Sequence, residues 1–302
     1  MSLSPPVWQT VDVDGASMRV MTAGSGDPLL FLHGWGLSPR AYADGITRLT
    51  AAGLRVIAPS LPGFGGSDGP PLRGIDLTAY SQQIGRLLDV LQLEHPAFVV
   101  GHSFGGGVGI RLASQRPEVV RSLTLINSVG GAPGQRAGLV DASWLKWMLG
   151  SLTELSPRDI ARSTPGMLRD FLPNVLRKPL TLALTARLAL TVDLAEEAAT
   201  LVAAGVPVLF FWGTDDRLVL PGALGSVAGV LPHEIVQGRH GWLLSKPEEF
   251  ASLVRDALVV HAMLERKKRG QALVLPKGST LADLIPPERR GTTRKPGMRA
   301  RA

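Results

Sequence analysis

The chain has 302 residues, 45% of them apolar, enough to bury the core of one large α/β domain or two smaller ones. It contains no cysteine, so disulfides, thiolate metal sites and cysteine nucleophiles are excluded together. The net charge of +7 is localised: residues 265–302 carry eleven basic and three acidic groups, which leaves 21 basic and 22 acidic for residues 1–264.

The opening MSLSPPVWQTVDVDG has no basic n-region and no apolar h-region, and no apolar run approaches the ~18 residues that a membrane span needs. A cytoplasmic protein without a transmembrane segment is the expectation. VWQTVDV and SMRVMTA flank the turn DGA and read as a hairpin, and PLLFLHG, after the turn GSGDP, reads as a buried strand. Four further apolar, β-rich runs follow: RVIAPS (55–60), AFVVGH (97–102), SLTLIN (122–127) and VPVLFFWG (206–213). Most intervals between them carry helical spacing, as in Ile75, Tyr80, Ile84, Leu87, Leu88 and Leu91. Strands buried on both faces and alternating with helices predict an α/β fold with a doubly wound, mostly parallel sheet, whose ligands sit beyond the carboxyl ends of the strands.

Residues 128–205 interrupt the alternation, with no convincing strand and with prolines at 157, 165, 173 and 179 dividing helical patterns. An insertion of this length after a core strand is expected to form a helical cap over the strand ends. Trp144, Trp147 and Met148 share one helical face and are read as part of the cap's own core. The domain reading is therefore a core of residues 1–127 and 206–264, a cap of 128–205 and a basic tail of 265–302. The tail is rich in Pro, Gly and Arg, the composition of a disordered, solvated extension; contact with an anionic surface is the alternative, and no specific nucleic-acid partner is expected.

Gly-x-Ser-x-Gly occurs twice, as GGSDG at 65–69 and GHSFG at 101–105. Ser67 sits in a Gly/Pro loop with no strand before it and no helix after it. Ser103 follows the strand AFVVGH directly and precedes the apolar-periodic GGGVGIRLASQRP, which is the strand, sharp turn and helix context of a nucleophile elbow. Gly101 and Gly105 would clear space around the strained serine, and Gly106, Gly107 and Gly109 would let the helix approach the sheet. The helix N-terminus would direct N–H groups at developing negative charge.

A nucleophilic serine needs a base. Of six histidines, His33 and His102 lie beside the presumed oxyanion and nucleophile turns, His95 and His233 at element boundaries, and His261 near the end of the last helix. His240, in QGRHGW, sits on a glycine-flanked loop between the short strand EIVQ and a helix whose start, Ser245-x-x-Glu248 with Pro247, reads as a capping box. Asp215 and Asp216 follow the strand VPVLFFWG and supply a carboxylate to hold the imidazole, giving the chain order Ser, Asp, His. Asn127, not an acid, ends SLTLIN, so no competing carboxylate lies there.

With LFLHGWG (30–36), LPGFGGSD (61–68), GHSFGG (101–106), FWGTDDRLV (211–219) and GRHGWLLSKPEEF (238–250) in this order, the chain resembles capped, esterase- and lipase-like members of the α/β-hydrolase fold superfamily over about residues 7–260. The resemblance implies backbone oxyanion donors at Trp35 and Phe104, and it selects Asp216 over Asp215 as the acid. It departs from many relatives at Ser60, where they carry Asp, and its serine speaks against dehalogenases and epoxide hydrolases. HGWG lacks the Gly-Pro-Gly extension frequent in carbon–carbon bond hydrolases. The activity implied is hydrolysis of a small-molecule carboxylic ester with an apolar acyl part through an acyl-enzyme on Ser103, with no cofactor and no metal. Carbon–carbon bond hydrolysis or a perhydrolase reaction with the same triad is the alternative within enzymes; a non-catalytic binding or scaffold protein is the alternative outside them.

Overall fold

The computed structural model describes residues 5–70, 72–131, 170–219 and 233–268. Strands β1 (Val7–Val13) and β2 (Ala16–Ala23) form the expected hairpin, through a turn in which Asp14 and Gly15 both have positive φ, 53° and 82°. Two left-handed residues in succession match the right-handed twist of the paired strands, and Asp-Gly is a pair that tolerates them. Strands β3 (Asp27–Leu32), β4 (Leu54–Pro59), β5 (Ala97–His102), β6 (Val120–Ile126) and β7 (Val208–Gly213) fall on the apolar runs, and β8 (His233–Val236) adds a short edge.

One sheet contains all eight, in the order β1-β2-β4-β3-β5-β6-β7-β8. The β1/β2 and β2/β4 pairs are antiparallel and the remaining five pairs parallel, so the expected mostly parallel sheet is the observed one. The chain steps from β3 to β4 on one side and returns to the other side of β3 as β5. This reversal sets the carboxyl ends of β3 and β5 side by side, in the crevice where such sheets bind ligands.

The described helices are α1 (Ala43–Leu49), α2 (Leu77–Leu91), α3 (Phe104–Gln115), α4 (Pro179–Thr191), α5 (Ala195–Ala203), α6 (Trp242–Ser245) and α7 (Pro247–Lys268), with a further helical run at 170–177. Because strand side chains alternate between faces, Leu30, Leu32, Val99, Leu123 and Phe210 join α2 and α3 in one apolar layer. Their neighbours Leu29, Phe31, Val100, Leu209 and Phe211 join α1 and α7 in the other. Asp76 opens α2 by accepting from the Ala79 N–H (2.7 Å), so Ile75 of the helical pattern lies just ahead of the helix. Pro247 is the first residue of α7, but Ser245 does not begin a capping box: it closes α6, where its hydroxyl donates to the Trp242 carbonyl (3.1 Å).

Within the interval 128–205, residues 170–177, α4 and α5 are described and helical. Leu194, Ala198 and Leu201 bury in the α2/α3 layer, and Glu197 pairs with Arg111 of α3 (2.9 Å), so α5 is a flanking helix of the sheet. Trp144, Trp147 and Met148 and residues 269–302 lie outside the described residues. No described helix is long and apolar enough to cross a membrane.

Candidate active site

A single residue separates β5 from α3, and that residue is Ser103. Its backbone sits at φ 53°, ψ −118°, a region an L-residue occupies at a cost of about 1–3 kcal/mol. The surroundings enforce it: the Ser103 N–H donates to the Ile126 carbonyl (3.0 Å), and the Ser103 carbonyl accepts from the N–H groups of Gly106 (3.0 Å) and Val129 (3.2 Å). A Cβ at Gly101 would lie 2.6 Å from Gly106 Cα, and one at Gly105 would strike the Leu32 carbonyl. Gly109 faces the strands, with Leu123 3.1 Å and Val99 3.5 Å from where its Cβ would be. Gly106 makes room for Ser128 while its own backbone lies against Gly101 of β5, and Gly107 makes room for Val129, so the helix approaches the strands at Gly106 and Gly109.

The structure brings Ser103 together with Asp216 and His240, both more than a hundred positions further along the chain. His240 Nε2 lies 2.9 Å from Ser103 Oγ, and its Nδ1 lies 2.9 Å from Asp216 Oδ2. All three side chains are buried. The strand ends position them: Ser103 after β5, Asp216 after β7, and His240 on the loop after β8. Burial pushes the Asp216 carboxyl up, but the facing His240 and the hydrogen bonds from His240, the Val219 N–H and Asn127 outweigh it, and the net direction is down. Asp216 is therefore a carboxylate acceptor that fixes Nδ1–H and leaves Nε2 bare toward the serine hydroxyl, the arrangement that can move a proton from Oγ to the ring.

Asp215 does not share this role. Its carboxylate reaches Thr214 Oγ1 (3.3 Å) and Gln237 Nε2 (3.4 Å) at the surface. Asn127, which the sequence offers only as a non-acid, proves to be the bracket of the site. Its Nδ2 donates to Asp216 Oδ2 (2.6 Å), its Oδ1 accepts from Trp242 Nε1 (3.1 Å), and its φ is 48°. Asp216 Oδ1 meanwhile accepts from the N–H groups of Leu218 (2.8 Å) and Val219 (3.0 Å), which completes its shell. The available signal was the end of β6 beside β7, where an amide can reach the carboxylate.

The loop after β3 is gripped from above. Trp35 Nε1 donates to the Leu182 carbonyl (3.1 Å) and Thr185 Oγ1 (2.9 Å), Asn174 Nδ2 donates to the Gly36 carbonyl (3.1 Å), and Asp170 Oδ2 accepts from the Ser38 N–H (3.1 Å) and hydroxyl (2.5 Å). Phe171 meets the Trp35 ring edge-on at 5.6 Å. Asp170 and Asn174 are one helical turn apart, so one face of the 170–177 run holds the loop. Phe104, as the first residue of α3, offers an N–H from the group that a helix leaves without an internal acceptor.

The other sequence candidates have local duties. The Ser67 hydroxyl is buried and donates to the Ser60 carbonyl (2.8 Å) while accepting from the Arg19 N–H (3.0 Å). His33 donates through Nδ1 to the Gly34 carbonyl (2.8 Å) and accepts from the Leu61 N–H at Nε2 (2.8 Å), and burial lowers it to about 4. His261, lowered by burial to about 3, pairs with Thr124 Oγ1 (3.0 Å) at the opposite face of the sheet.

This sheet, elbow and order of side chains agree with the sequence comparison: residues 29–253 match the model of the alpha/beta hydrolase family, and the chain belongs to that family. Three relatives show how much chemistry the family spans. A putative non-heme haloperoxidase of Mycobacterium phage D29 is 30% identical over 82% of this chain and 92% of its own. A 2-hydroxymuconate semialdehyde hydrolase of Pseudomonas sp. (strain CF600) is 35% identical over 47% of this chain and 50% of its own. A pimeloyl-[acyl-carrier protein] methyl ester esterase of Aromatoleum aromaticum is 31% identical over 76% of this chain and 97% of its own.

Proposed function

We propose that the chain is a serine hydrolase of small carboxylic esters. The observation that carries the reading is the linear set Ser103 Oγ, His240 Nε2, His240 Nδ1 and Asp216 Oδ2, with 2.9 Å at each link, on a serine held in a strained elbow. Ser103 Oγ attacks the acyl carbon as its proton passes to His240 Nε2, and the carbonyl π electrons move onto oxygen. The N–H groups of Phe104 and Trp35 receive that oxyanion. Collapse breaks the bond to the alcohol oxygen, which takes the proton from His240, and leaves the acyl group on Ser103. Water, deprotonated by the same ring, repeats the sequence and frees the acid.

Residues 170–191 serve here as the part of a cap that closes over the crevice and supplies the apolar wall of the acyl site. The esterase among the relatives is consistent with this reaction, and the bond-cleaving hydrolase defines the competing one. A series of p-nitrophenyl esters of rising acyl length tests the proposal: turnover with a chain-length optimum is expected. Turnover of vinylogous diketones with none of the aryl esters would favour carbon–carbon cleavage, and inertness toward both would favour a binding protein.

A further inference from the structure

A second hydrogen-bonded chain runs beneath the first and uses residues to which the mechanism gives no part. The Gly34 N–H donates to Tyr42 Oη (3.1 Å), Tyr42 Oη lies 2.8 Å from His102 Nδ1, and His102 Nε2 lies 3.0 Å from the His240 carbonyl. Tyr42 and His102 are buried. A carbonyl only accepts, so His102 carries its hydrogen on Nε2, its Nδ1 is bare, and the Tyr42 hydroxyl donates to it. The three donations then run in one direction, from the Gly34 N–H, in the loop that contains Trp35, to the His240 carbonyl. Gly34 has no side chain because a Cβ there would lie 2.8 Å from His102 Nδ1.

We propose that Tyr42 and His102 are positioning residues that couple the His240 loop to the oxyanion loop at Gly34–Trp35, an inference that rests on the ester-hydrolase reading. His240 lies between Arg239 and Gly241 on a loop already held by the Asp215 N–H to the Gly238 carbonyl (2.9 Å) and the Trp242 N–H to the Arg239 carbonyl (3.2 Å), and the His240 carbonyl itself accepts from the His102 side chain. His102 supplies that tie from the residue next to the nucleophile, so the base and the nucleophile share one support. The His102 and His240 rings stand 5.1 Å apart at their centroids. His102 is the right group only while neutral, since a second imidazolium would oppose the charge that His240 acquires. Burial, and then the nearby His240 ring, lower His102 to about 3, while the hydrogen bond to the His240 carbonyl and then Asp216 act in the opposite sense and His33 in the same one.

The full chain tests this with Tyr42→Phe, His102→Leu and His102→Gln, on p-nitrophenyl acetate. Tyr42→Phe is expected to lower kcat by about tenfold with KM changed less than about twofold, and His102→Leu to lower kcat by about a hundredfold. His102→Gln keeps an amide donor near the Nε2 position and is expected to recover at least about tenfold of the leucine loss. Folded variants with wild-type kcat, or glutamine no better than leucine, overturn the relay. Side-chain ¹⁵N NMR of the wild type between pH 6 and 7 provides a readout independent of turnover: His102 neutral with hydrogen on Nε2 is required, and hydrogen on Nδ1 or a protonated ring overturns it. A wild-type chain inert toward esters would sink the reading of Ser103 and leave that tautomer measurement to decide the relay.

Discussion

Two five-residue segments, Gly65–Gly69 and Gly101–Gly105, share one pattern, and each buries its serine. They differ in where the hydroxyl goes. Ser67 spends its oxygen on two backbone groups, the Ser60 carbonyl just after β4 and the Arg19 N–H of β2, whereas Ser103, held at positive φ, presents its oxygen to a ring from another loop. A glycine-bracketed serine is turned out toward a facing imidazole when a strand ends on one side and a helix begins on the other. Without those elements the same residues close a tight loop.

The sharpest break in this comparison is expected from the paired alanines. Ser103→Ala should lower kcat/KM for an aryl ester by at least about a thousandfold, while Ser67→Ala stays within a few fold. Ser67→Ala should act on stability instead, by about 1–3 kcal/mol, because it leaves the buried Ser60 carbonyl and Arg19 N–H without their partner. Kinetics and urea unfolding of both variants measure the two effects separately.

The adjacent aspartates repeat the contrast at smaller scale. Asp216→Asn is expected to cut kcat by roughly a hundredfold or more, since an amide has one acceptor oxygen: turned toward His240 and Asn127 it sets its NH2 against the Leu218 and Val219 N–H groups, and turned the other way it loses the bond to His240. Asp215→Asn, at the surface, should cost less than about tenfold. Asn127→Leu is expected between them, at about tenfold or more in kcat, because Asp216 and Trp242 both lose a partner.

Much of this was legible in the chain. The strands, the elbow, His240 and the Ser, Asp, His order follow from apolar runs and their flanks, because local packing rules act over ten or so residues. Asn127, Tyr42 and Trp242 were not, since their roles depend on neighbours 60 to 115 residues away. The capping box failed for a local reason: the short helix α6 claims Ser245 before α7 starts.

A smaller effect separates the site from the rest of the interior through pH. His33, His102 and His261 are lowered from 6.5 to about 4, 3 and 3, so the unfolded chain binds more protons than the folded one below pH 6.5. Their stabilisation is complete above pH 6.5 and is lost as pH falls toward those folded values, by up to about 1.4 kcal/mol per pH unit for each ring. His261→Gln, remote from Ser103, should reduce the slope of unfolding free energy between pH 6 and 4.5 by about a third and leave kcat nearly unchanged. An unaltered slope would show that His261 titrates normally.

The most direct measurement of the central claim is covalent. The full chain is treated with a fluorophosphonate at pH 7.5, and the modified residue is mapped by peptide mass spectrometry. A single adduct on Ser103 is expected, absent in Ser103→Ala, retained in Ser67→Ala and slowed in Asp216→Asn. An adduct on Ser67, or none on the folded wild-type chain, would contradict the assignment of Ser103 as the nucleophile.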